Sequence, residues 1–243
     1  MLNGIWYDET TPLIHPIVFI SLYEHINLFS YINMTRYFIP LGFHCNITFL
    51  SQDIRMKHET SLFEWIQSEK LQYITDIINN IKDTININII KGSDKNIHIL
   101  HEKVFTYHYE LEEYKSMFMR RAIRFLDIIK TSKELLFIRI NPIYYSTTTD
   151  EINNFCEAIH SIQPALDIKF LMIHKIHDYS NYTPLDVSKI SSATLIQKEF
   201  LLNDCPDEYL RNNTTIQQQF LQYLQECGID INTSVHVQFN DKS

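Results

Sequence analysis

Apolar positions along the chain follow two rhythms, one of three to four residues and one of short unbroken runs. Tyr37-Phe38-Ile39-Pro40-Leu41 is such a run, stopped by Gly42, and predicts a strand ending in a tight turn. His44 to about Met56 then reads as helical, with Cys45 in its first turn. Ser68 is placed to cap a helix through about Lys82, with Leu71, Ile74, Ile77, Ile78 and Ile81 on one face. Two β-like stretches, Ile85–Ile90 and Asn96–Leu100, lie around Gly92. Glu110 to Lys130 carries Leu111, Tyr114, Phe118, Ile123, Leu126 and Ile129 near one stripe. Its acidic start and basic end suit a helix dipole. Leu135–Ile140 and Ile168–Ile173 are nearly continuous apolar strands. The helix predicted between them starts at Thr149 and ends near Pro164. A last helix runs from about Thr215 to Cys227, with Gly228 as its C′ residue.

Strand, helix and strand at this spacing indicate a right-handed parallel crossover whose strands are covered on both faces. The predicted class is therefore α/β: three layers, a mostly parallel sheet and helices on both faces. Residues 1–35 have weak periodicity and read as an N-terminal extension, with 36–243 as a single domain. No repeat, linker or low-complexity tail is visible.

Composition narrows the function more than the fold. The 243 residues are 45% hydrophobic and 21% charged, enough for a buried core. A net charge of −8, from 21 Lys+Arg against 29 Asp+Glu, argues against a general nucleic-acid binder. The four cysteines, Cys45, Cys156, Cys205 and Cys227, are scattered with no CxxC pair. Thiolate zinc and a disulfide framework are thus not expected, and the thiols read as reduced and intracellular. No metal or cofactor is expected. The first basic residue is Arg36, so no charged secretory n-region precedes it. Leu13–Tyr23 is apolar but short and bounded by Glu24 and His25, which favours a buried element over a membrane segment. Richness in Ile, Asn, Tyr and Phe with only four glycines points to an AT-rich genome, such as that of a large DNA virus or a low-GC microbe. Against that bias Gly42 is informative.

Gly42-Phe43-His44-Cys45 therefore draws attention. A cysteine in a first helical turn faces unpaired N–H groups and the positive dipole end, which favour thiolate and can hold an oxyanion. The bland reading is a small buried hydrophobe. His44 is a neighbour that polarises the turn or is simply solvated. His98 and His101 face opposite sides if extended, so they are poor joint metal ligands. His174 and His177 flank a strand end, where His174 is an alternative base. Arg120 and Arg124, at i and i+4 beside Arg121, fit a solvated face better than an anion clamp. Trp65 reads as core or pocket wall. Arg139, on an apolar strand, needs either a ligand or a structural partner.

Leu41-Gly42-Phe43-His44-Cys45, Ser61-Leu62-Phe63-Glu64-Trp65 and His101-Glu102 occur in the order of motifs in the papain-like cysteine peptidases first defined as a domain of unknown function. Arg120–Leu126 and Leu136-Phe137-Ile138-Arg139 follow as that family's helix and strand do, and the resemblance covers about residues 37–175. It implies Cys45 as nucleophile and His101 as general base, with Glu64 or Glu102 orienting the imidazole where the family has Asp. On an extended segment Glu102 points away from His101, so Glu64 is the better geometric choice.

The family name implies a helical half against an antiparallel barrel, while the residue pattern implies an open α/β sheet with sites at the carboxyl ends of strands. Gly42–Cys45, Arg139–Asn141 and His174 are expected at such ends. The expected function is an intracellular cysteine hydrolase or peptidase acting on a peptide or other acyl substrate, without nucleic acid or membrane. The alternative is a non-catalytic or transferase-like α/β module holding an anionic or sugar ligand at those ends, or a viral host-interaction protein on the same scaffold.

Overall fold

The computed structural model describes residues 38–42, 46–53, 61–107, 109–141, 145–176, 184–201 and 213–229. The proposed extension, residues 1–35, lies outside them, as do His44, Cys45, His177 and Cys205.

A parallel sheet forms the centre, in the order β1-β6-β7-β8. Its strands are β1 (Phe38–Pro40), β6 (Glu134–Asn141), β7 (Asp167–Ile176) and β8 (Thr194–Leu201). Ile39 pairs with Phe137, Phe137 with Phe170, and Phe170 with Leu195, so one face is a continuous apolar row. The expected parallel α/β architecture is therefore present. β8 was not foreseen: polar residues interrupt its pattern, and its partner β7 covers one edge only.

Each sheet face buries its own core. Leu135, Phe137, Ile168, Phe170 and Met172 pack with helices α2 (Leu71–Ile81), α3 (Leu111–Thr131) and α4 (Thr149–His160). Leu136, Ile138, Ile140, Leu171 and Ile173 pack with α1 (Asn46–Asp53) and α5 (Thr214–Glu226). This alternation follows from the period of two along a strand. The T-shaped contacts of Phe155 with Phe137 and Phe170 lock α4 onto the first face.

A second, antiparallel sheet has the order β2-β5-β4-β3, from β2 (Gln67–Ser68), β3 (Ile89–Lys91), β4 (Ile97–Ile99) and β5 (His101–Thr106). The sequence hinted at two of these strands but not at their sheet. A register shift at His98/Ile99 and Leu100 at φ 59 break the pattern where β4 turns into β5.

Helix ends follow local chemistry. Ser68 is not the cap of α2. It belongs to β2, its hydroxyl donates to the Lys70 carbonyl, and Lys70 is the N-cap without a side-chain bond. α4 has a full capping box between Thr148 and Glu151. α5 is capped by Asn213, and it ends at Gly228 in the left-handed region at φ 80, with Ile229 N–H on the Leu224 carbonyl, as the Gly predicts.

Candidate functional site at the carboxyl edge of the parallel sheet

Gly42 follows β1 directly. A Cβ built on it falls 2.5 Å from the Ile66 carbonyl oxygen and 2.6 Å from that of Phe63. Only glycine lets the two main chains approach so closely. The end of β1 and the 61–66 turn thus meet at the carboxyl edge of a parallel strand. Cys45 and His44 lie outside the described residues; α1 starts at the next position, Asn46.

Arg139 ties this edge together. It is fully buried, and its Nη1 donates to the carbonyls of Leu41 and Gly42 at 3.4 and 3.1 Å. Its Nη2 donates to those of Ser68 and Glu69 at 3.1 and 2.9 Å. Burial pushes its pKa down to about 10, opposed by the charge of Glu151. The guanidinium therefore fastens the end of β1 to the entry of the antiparallel sheet, through main-chain acceptors.

The 61–66 turn carries Glu64 and Trp65. Glu64 is buried, and Trp65 is half-buried at φ 62, a left-handed conformation unusual for so bulky a side chain. The Trp65 ring meets Phe49 of α1 edge-on at 5.3 Å.

His101 opens β5. Its Nε2 stands 2.9 Å from Asp76 Oδ2 on α2, and its ring lies 5.1 Å from that of Tyr73. Gln72 Nε2 donates to the other Asp76 oxygen at 2.8 Å, and Gln72 N–H donates to Glu151. His101 thus has a carboxylate partner, but it is Asp76, where Glu64 or Glu102 was expected from sequence. Asp76 is 25 residues away on a helix, and no local motif marks it. Glu64, on the 61–66 turn before β2, is not the carboxylate at His101 Nε2. Glu102 is exposed, and its carbonyl meets His98 Nδ1 at 3.0 Å. His98 also bonds Asp94 at 3.0 Å, so it does not share a partner with His101.

His174 sits at the carboxyl end of β7, as expected. Thr147 Oγ1 donates to Asn141 Oδ1 at 2.7 Å, which leaves Asn141 Nδ2 to donate to His174 Nδ1 at 3.4 Å. Burial pushes the His174 pKa down to about 4, only partly countered by a bond with Gln197. The imidazole is neutral at neutral pH, with Nδ1 already accepting a bond.

Arg120 is exposed, Arg124 is half-buried, and Arg121 is the buried member of the trio. No group of three or more His, Cys, Asp or Glu side chains among the described residues is arranged to hold a metal ion. No helix among them is long and apolar enough to cross a membrane.

Comparison of the chain with protein-family models, with curated proteins and with solved structures found no match.

Proposed function

We propose that this protein is a cysteine hydrolase in which Cys45 attacks the carbonyl of a peptide or other acyl substrate. The observation that carries the reading is the His101–Asp76 bond at 2.9 Å. A carboxylate on Nε2 fixes the proton there and leaves the Nδ1 lone pair free to take a proton from a thiol. His101 then returns that proton to the leaving group, while Asp76 acts as the positioning residue. N–H groups at the start of α1 serve the developing oxyanion. Gly42 admits the 61–66 turn beside the end of β1, and Trp65 of that turn walls the site. His174 is the weaker base, because its Nδ1 is already engaged and its pKa is low.

The reading requires the Cys45 sulfur to reach within about 3–4 Å of His101 Nδ1. The test is the pH dependence of alkylation by a small iodoacetamide probe, with the labelled cysteine identified by mass spectrometry. In the natural chain Cys45 should react well below the pH at which an ordinary thiol does. Cys45→Ala should remove the label, and His101→Ala should shift the profile to that of a free thiol. An ordinary profile in the natural chain, unchanged by His101→Ala, would end the proposal.

A further inference from the structure

Arg121 lies on the buried stripe of α3 with Tyr114, Phe118 and Phe125. The residue is 7% exposed, and its Nη1 is sealed from solvent without a hydrogen-bond partner. Among the described residues no carboxylate stands at ion-pair distance from it. Its neighbours are aromatic: the Tyr109 ring centre is 6.0 Å from the guanidinium carbon, and the Tyr114 phenol is close enough to feel its charge. Burial pushes the Tyr114 phenol well above its ordinary value, so that group stays neutral and supplies no counter-charge.

The contrast with Arg139 is instructive. Both guanidiniums are buried, but Arg139 meets four carbonyl oxygens and Arg121 Nη1 meets none among the described residues. A guanidinium cannot escape by losing its proton, and a buried charge without a partner is strongly disfavoured. The position of Arg121 adds to this. One helical turn on, Phe125 packs edge-on against Phe63 at 5.2 Å, so the stripe that carries Arg121 continues into the core.

We propose that Arg121 anchors a binding site for an oxyanion, a phosphoryl or carboxylate group carried by a ligand, between α3 and the Tyr109 ring. The planar fork of the guanidinium matches two oxygens of such a group. Arg120, exposed and next to it in sequence, adds positive charge that favours anion entry. The site is independent of Cys45 chemistry and stands or falls without it.

Thermal unfolding of the full chain in inorganic phosphate, in acetate and in chloride at matched ionic strength tests this. The natural chain should melt at higher temperature in phosphate, in acetate or in both than in chloride, and the responsive anion identifies a phosphoryl or a carboxylate ligand. Arg121→Met fills similar volume without the charge. It should melt at or above the natural chain in chloride and lose the anion-specific rise. If Arg121→Met does not fold, Arg121→Gln carries the same expectation. The proposal is overturned if neither anion raises the melting temperature of the natural chain, or if the variant keeps the full rise.

Discussion

At the scale of single residues, Arg139 and His101 show two ways in which a basic side chain is fixed. Arg139 donates to four carbonyls around its buried guanidinium, so its removal takes a donor from several acceptors at once. Each such orphan costs about 1–3 kcal/mol. Arg139→Met should therefore lower stability by at least about 3 kcal/mol. Arg139→Lys should recover only part of it, because one ammonium cannot span both pairs of acceptors. Urea midpoints of the two variants measure this, and a midpoint for Arg139→Met close to the natural one would remove the structural role. His101 differs, being partly exposed and, among the described residues, bonded through Nε2. Asp76→Asn should keep the fold and slow alkylation of Cys45 at neutral pH, since the amide no longer selects the tautomer that leaves Nδ1 free. An unchanged rate would show that Asp76 does not act on the thiol.

Elements meet where helix starts and strand ends are tied to one another. Glu151 closes the capping box of α4 with Thr148, accepts Tyr145 Oη at 2.5 Å, and reaches across to Gln72 N–H at the start of α2. Thr148→Ala removes one cap bond and should cost about 1 kcal/mol by chemical unfolding. Gly42→Ala should cost more, because its new Cβ would press on two main-chain oxygens that cannot swing away. A neutral Gly42→Ala would contradict the close approach. Much of this layout was legible in the sequence. The α2, α3, α4 and α5 stripes and the β6 and β7 runs are long enough for period to decide. What escaped was β8, whose Gln197, Lys198 and Glu199 break the apolar run, and the antiparallel sheet, whose strands are two to six residues long. For the site, Gly42 could be singled out because glycine is rare here. Asp76 and Arg121 could not, because a helix pattern shows which face is buried but not which distant chain that face meets.

For the whole molecule, His174 sets an acid limit. Its imidazole has an ordinary pKa of 6.5 and a folded value of about 4, so between these the unfolded chain binds the extra proton. Its neutral burial thus contributes fully above about pH 6.5, and that contribution falls away as pH drops towards about 4, a loss of about 3 kcal/mol. Denaturation at a series of pH values should show this slope, and His174→Gln should flatten it. A parallel slope in the variant would assign the acid sensitivity to other groups. A different consequence follows from the Arg139 guanidinium, which clasps the end of β1 and the end of β2. Because this clasp joins the two sheets, neither can swing open alone without stranding that positive group in oil. Deuterium uptake by amides of β6 and of β5 should then report one common opening event, with protection that rises and falls together as denaturant is varied.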